Sequence, residues 1–95
     1  MRLPIRLAVA AVEDRKRLAE FLVAVDPGAA ERAVDAIGRA LERLSDFPEM
    51  GHAAAEGLEL GIRFGNSGYV VQYRIDADAV VIARIFHMRE NRDLG

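Results

Sequence analysis

The sequence predicts an α+β domain of two layers, a helical hairpin packed on one face of a four-stranded antiparallel sheet. Three observations predict it. Apolar and polar residues alternate in residues 3–9 and again from 58 to 75, the period of a half-buried strand. Between these stretches lie two segments whose apolar residues recur three and four apart, the spacing of one helix face. Short turns join the segments, so neighbours in sequence become neighbours in space.

Each element has its own signature. In residues 3–9, Leu3, Ile5, Leu7 and Val9 alternate with Pro4, Arg6 and Ala8. Pro4 has no N–H for a ladder bond, which suits a strand start or a sheet edge. From Val12 the period changes to Leu18, Leu22 and Val25, with Phe21 beside them and charges opposite, a first helix ending near Val25. Asp26-Pro27 ends it and starts the next. Aspartate accepts hydrogen bonds from the first free amides of a helix, and proline fits its first turn. The second helix runs to about Leu44 with Ala30, Val34, Ile37, Leu41 and Leu44 on one stripe. Residues 45–57, punctuated by Asp46, Pro48, Gly51 and Gly57, read as turn and loop. Leu58, Leu60, Ile62 and Phe64 then form one apolar strand face, and Tyr69, Val71, Tyr73 and Ile75 a second, with Asn66-Ser67-Gly68 between them. After Asp76-Ala77-Asp78, residues 80–87 are apolar except for Arg84 and His87, as in a central strand buried on both faces. The tail from Met88 is polar and is expected to fray.

At 95 residues and 10.4 kDa, residues 1–95 make a single domain. Scaling with mass gives about 5,400 Å² of accessible surface when folded against about 15,000 Å² unfolded, enough burial for one modest core. The chain has no cysteine, which removes disulfides, thiolate metal sites and thiol catalysis. Its two histidines, His52 and His87, stand far apart without a partner set, so no metal and no cofactor are expected. Gly65-Asn66-Ser67-Gly68 lacks the lysine and the helix of a phosphate-binding loop. A net charge of −2 and a pI near 5.6 argue against direct nucleic-acid binding. No apolar run reaches the roughly 20 residues of a membrane span. Arg2 and Arg6 interrupt the first apolar stretch, unlike a secretion signal, so the expected location is the cytoplasm.

Strand parity assigns the sheet faces. If the apolar sets meet the helices, the opposite face carries Arg63, Arg74 and Arg84, with His87 and Arg89 at the end of the last strand. Gathered guanidinium groups can grip phosphate or carboxylate. The plainer reading is a solvated outer face whose arginines pair with Glu59, Asp76 or Asp78.

Several segments, in order, carry a resemblance. They are Leu41-Glu42-Arg43-Leu44, then Phe47-Pro48-Glu49-Met50-Gly51-His52, then Gly68-Tyr69-Val70-Val71-Gln72-Tyr73-Arg74-Ile75, then the run from Val81 through Arg84 and His87 to Arg89. Together they resemble toxins of the RelE/ParE superfamily from bacterial type II toxin–antitoxin systems, over essentially the whole chain. The resemblance implies a sheet in order 1-4-3-2 under the helical hairpin. It also implies one of two activities: RelE-like members cut messenger RNA on the ribosome, and ParE-like members act on DNA gyrase. Val70 stands where RelE-like toxins commonly carry an arginine, and no tyrosine follows Arg89. His52 replaces an arginine usual in both branches. The ending His87-Met88-Arg89 is closer to the ParE branch. The expectation is therefore a ParE-like toxin that inhibits DNA gyrase by binding through Arg63, Arg74, Arg84, His87 and Arg89. The partner implied is a cognate antitoxin whose segment adds to a sheet edge, at the first strand or at residues 58–64. The alternatives are a ribosome-dependent endoribonuclease with His87, Arg89 and Arg63 as its catalytic groups, or an inactive homologue that only binds antitoxin.

Overall fold

The computed structural model describes residues 2–89. In chain order its elements are β1 (Ile5–Leu7), α1 (Val9–Val25), α2 (Pro27–Asp46), β2 (His52–Ala54), β3 (Gly57–Phe64), β4 (Ser67–Ile75) and β5 (Val80–His87). The strands form one sheet in order β1-β5-β4-β3-β2, and α1 and α2 pack on one face of it. The two-layer α+β architecture matches the expectation.

Two features correct it. The sheet has five strands, because His52–Ala54 pairs antiparallel with β3 through a tight turn where a loop was expected. And β1 runs parallel to β5, with Ile5 opposite Val80 and Leu7 opposite Ile82. The reason lies in the helical hairpin. α1 continues past the end of β1 along β5, and α2 brings the chain back to where β1 began: the Leu3 N–H donates to the Ser45 carbonyl at 2.9 Å. The long strand that follows, β3, must then run the way β1 does. β4 reverses and β5 reverses again, so β5 is parallel to β1.

β1 is also shorter than the predicted residues 3–9. The Ala8 N–H donates to the Ile82 carbonyl, and the chain turns helical at Val9. α2 starts as expected: the Asp26 carboxylate accepts from the Gly28 and Ala29 amides at 3.1 and 3.3 Å. The expected fraying of the tail falls, from residue 90 on, outside the described residues.

Tyr69, Val71 and Tyr73 of β4, Ile62 of β3, and Val80, Ile82 and Ile85 of β5 meet Leu18 of α1 and Ile37, Leu41 and Leu44 of α2. Ile75, expected on this face, ends β4 beyond the cover of the helices and stays exposed. Within β5 the register slips by one. Tyr73 faces Ile82 but Gln72 faces Arg84, which leaves Ala83 as the extra residue of a β-bulge. Without it Arg84 would share the parity of Val80 and Ile82 and face the helices. With it, Ile85 and His87 take the helix side and Arg84 the outer side.

β1 ends at Leu7, so beyond Ile82 the edge of β5 has no strand beside it. Asp14 of α1 fills that gap. Its Oδ2 accepts from the Ile85 N–H at 2.9 Å and from Arg84 Nε at 2.7 Å. Its Oδ1 accepts from Arg84 Nη2 at 3.0 Å and from Arg17 Nη2 at 3.3 Å. Asp14 is the one charged side chain among the buried described residues. Burial alone would raise its pKa, but the hydrogen bonds from Arg84, the Ile85 amide and Arg17, with the charge of Arg84, outweigh it and hold the carboxyl below its ordinary value.

The loop between α2 and β2 is clamped by a buried tyrosine. The Tyr73 hydroxyl donates to the Pro48 carbonyl at 2.8 Å and accepts from the Gly51 N–H at 2.9 Å. A Cβ at Gly51 would lie 2.5 Å from that hydroxyl oxygen and 2.6 Å from the Glu59 carbonyl, so only glycine fits.

Two stability predictions follow from these contacts. A carboxyl with a depressed folded-state pKa contributes stability that is full above the unfolded value of about 3.9 and fades as pH falls through the folded value. The parent's resistance to denaturation should therefore fall from about pH 4 downward, and Asp14→Asn should flatten that part of the profile. Asp14→Ala should cost about 2–3 kcal/mol at neutral pH, because the Ile85 amide and the half-exposed Arg84 lose their partner. Tyr73→Phe should cost about 1–2 kcal/mol in the same measurement, by stranding the Pro48 carbonyl and the Gly51 amide.

Candidate functional site

The outer face of the sheet is built by parity. β3 contributes Glu59, Gly61 and Arg63, β4 contributes Val70, Gln72 and Arg74, and β5 contributes Val81, Arg84 and Phe86. β1 adds Arg6, in register with Val81 and Arg74. Across the middle, Gln72 Nε2 donates to Glu59 Oε2 at 3.1 Å, and Arg84 lies in the same row.

The structure brings the five predicted site residues only partly together. Arg74 and Arg63 share the outer face but sit at opposite ends of it: Arg63 is opposite Gly68, six residues or about 20 Å of strand from Arg74. Arg74 Nε pairs with Asp76 at 3.3 Å, and nearby Arg6 approaches Asp78 at 3.9 Å. The turn aspartates thus neutralise this end, as the plainer sequence reading has it. Arg84 starts from the outer row, but its guanidinium reaches round the free edge of β5 to Asp14 and lies 4.8 Å from the centre of the Phe86 ring. Arg63 is exposed and has no acidic partner among the described residues. It stands beside a polar hollow formed with Gly61, Asn66, Ser67 and the side chain of Met88. Gly68 closes this end of the face: a Cβ there would lie 3.0 Å from the Met88 methyl, and the Ile62 carbonyl is closer still.

His87 and Arg89 belong to the other side. His87 shares the helix-side parity of Ile85, and its ring meets the Tyr69 ring edge-on at 5.3 Å. Its Nδ1 accepts from the Arg89 N–H at 3.1 Å, which fixes the turn after β5. Between α1 and the ends of β4 and β5 lies a cleft of about 600 Å³ lined by Arg17, Leu18, Phe21, Leu22, Tyr69, His87 and Arg89. Burial raises the pKa of the Tyr69 phenol, so it remains a neutral donor across the physiological range. His52 opens β2, exposed on the sheet edge away from this cleft. Among the described residues no three histidine or acidic side chains gather as a metal site.

Sequence reasoning missed Asp14 and the α1 wall of the cleft. The signal for Asp14 was present: it lies four residues before Leu18 and three after Ala11, on the buried stripe of α1 rather than opposite it. Phe21 gave a weaker one, as a large apolar side chain next to Leu22 that the narrow stripe did not need.

Comparison with known proteins agrees with the fold. A family model described as the ParE toxin of the type II toxin–antitoxin system, parDE, matches residues 5–92. Toxin RelE3 of Caulobacter vibrioides is 40% identical over 89 residues, covering 93% of this chain and 97% of the relative. Toxin RelE1 of the same bacterium is 36% identical over 93 residues, covering 97% and 100%. The chromosomal ParDE system from P. aeruginosa superposes with a TM-score of 0.73 over 90% of this chain and 96% of that one, at 16% identity, a likeness of fold alone. The RelBE2 toxin–antitoxin complex from Mycobacterium tuberculosis gives a TM-score of 0.58 at 27% identity, covering 92% and 99%. A family match over almost the whole sequence, with two toxins aligned nearly end to end, makes this chain a member of the ParE toxin family within the RelE/ParE superfamily of type II toxin–antitoxin toxins.

Proposed function

We propose that this toxin arrests growth by binding DNA gyrase in the bacterial cytoplasm, with no chemistry of its own, and that a cognate antitoxin neutralises it. The observation that carries this reading is the separation of the groups a ribonuclease would need. Cleaving RNA at the 2′-hydroxyl takes a base, an acid and cations converging on one phosphate. Here His87 opens on the helix-side cleft while Arg63 stands on the outer face. Val70, at the position where RelE-like toxins commonly carry an arginine, is buried on the outer face opposite Gly61 and Phe86. A surface that meets its target by contact does not require such convergence. Arg63, unpaired among the described residues, is the arginine best placed to bind; Arg74 and Arg84 are occupied by Asp76 and Asp14.

The antitoxin reading draws on the solved relatives, a ParDE system and a RelBE2 complex. An accessible edge supports it. β2 covers only the first part of β3, through the pairs Ala54–Gly57 and His52–Glu59. The same alternation directs the backbone groups of exposed Gly61 and Arg63 away from β4, where an added strand can pair with them.

A second reading has its own support: both curated relatives bear the name RelE, which favours messenger RNA cleavage on the ribosome.

Purified chain added to a gyrase supercoiling assay, and in parallel to ribosomes with message, separates the two. The expected outcome is loss of supercoiling with intact message. Message cleavage that vanishes in His87→Ala would establish the ribonuclease instead. In a growth assay, Arg63→Ala should lose most of the growth inhibition while its stability stays within about 0.5 kcal/mol of the parent. Arg74→Ala should change growth inhibition far less.

A further inference from the structure

We propose that the polar hollow beside Arg63 is a socket for a single carboxylate, an aspartate or glutamate side chain of the protein that this toxin targets. The proposal rests on the reading of this chain as a toxin that acts by contact, and it names the chemical group that the contact grips.

The hollow sits where β3 turns into β4. Phe64 pairs with Ser67, so Gly65 and Asn66 form a two-residue hairpin turn, with Gly65 at a φ of +60°. Arg63 and Asn66 both line the hollow, and none of its lining residues is acidic. Both side chains carry N–H donors, and neither makes a hydrogen bond or ion pair among the described residues. A guanidinium presents a planar fork that matches the two oxygens of a carboxylate, and a neutral amide beside it adds a further donor.

Gly61 supplies a second, independent observation. It lies in the middle of β3, where glycine weakens a strand. The fold gives it no reason to be glycine: its φ is not positive, and a Cβ there would meet only the Met88 methyl, at an ordinary 3.6 Å. Gly65 and Gly68 differ, the first by its φ and the second because a Cβ would collide with the Ile62 carbonyl. A strand glycine without such a need marks a place where something approaches the backbone closely, and Gly61 keeps the room beside Arg63 open. Charge selects the occupant. A nucleic acid presents several phosphates in a row and calls for several cations. Along this face Arg74 is paired with Asp76 and Arg84 with Asp14, and Glu59 shares the strand of Arg63. One guanidinium with a neutral donor beside it, on a chain of net charge −2, suits one carboxylate on a protein surface.

The test measures binding of the purified full chain to purified gyrase without DNA. Gly61→Val fills the hollow, and it should melt no lower than the parent, since a β-branched residue replaces glycine opposite Val70. It should nonetheless bind gyrase about 10-fold more weakly. Arg63 is exposed, so Arg63→Glu keeps the fold whatever Gly61→Val does; it should bind at least about 100-fold more weakly. Arg63→Lys keeps the charge without the fork and should lose about 10-fold. Raising salt from about 50 to about 200 mM should weaken the parent only a few-fold, against the roughly 1,000-fold loss of a contact to many phosphates. Parent-like gyrase binding by Gly61→Val and Arg63→Glu would overturn the socket while leaving the gyrase reading intact. Binding that needs DNA, or that falls about 1,000-fold with salt, would overturn it in favour of phosphates. Parent-like gyrase binding with loss of antitoxin binding in the same two variants would overturn it by assigning the carboxylate to the antitoxin. No gyrase binding by the folded parent chain would remove both the socket and the reading beneath it.

Discussion

Asp14 joins three things that the rest of the molecule needs held together. It fixes α1 to the sheet, it completes the hydrogen bonding of β5 where β1 stops, and it fixes the guanidinium of Arg84. A strand in that gap would have met the Ile85 amide with a carbonyl; a carboxylate meets it equally well and brings charge that the arginines compensate. Sheet edge and helix are thereby joined by one side chain. The place at which α1 is held against the edge of β5 is set by this contact, and the return of α2 to the start of β1 then makes β1 parallel to β5.

The same interaction decides how the arginines of the outer face are used. Arg84 is committed to structure by Asp14, and the turn aspartates engage Arg74 and Arg6. Exposed pairs of the latter kind contribute little to stability, about 0–1 kcal/mol each, but they do cancel charge. Among the described residues Arg63 remains without an acidic partner, at one end of the outer face beside the polar hollow, while Arg17 and Arg89 line the cleft on the opposite side of the sheet.

Much of this was legible in the sequence, and the misses have physical causes. The helical hairpin, the Asp26 cap and the three long strands follow from periodicity and local chemistry, which a linear chain displays directly. β2 did not, because His52, Ala53 and Ala54 are too few and too weakly patterned to show an alternation; pairing with β3 makes them a strand. The parallel β1 could have been deduced from the return of the hairpin, a constraint on chain direction that residue types do not express. Arg84 was correctly placed on the outer face, yet the bulge at Ala83 that puts it there left no mark in composition. His87 shows the limit of parity: one inserted residue moved it to the helix side, away from the arginines with which its spacing grouped it. Asp14 was legible in principle, as an acid on an apolar stripe, but its role needed a partner seventy residues away.

That separation bears on when the protein comes into being during its synthesis. β1, the first of the described strands, pairs with β5, the last of them. The buried carboxylate of α1 meets Arg84 and Ile85 across 70 and 71 residues of chain. Until β5 emerges, the acid on the inner stripe of α1 has Arg17 beside it but neither Arg84 nor the Ile85 amide, and the hairpin has no sheet centre to pack on. Contacts this distant in sequence are slow to close. A chain from which β5 has not yet emerged accordingly lacks the strand on which both β1 and α1 are fixed.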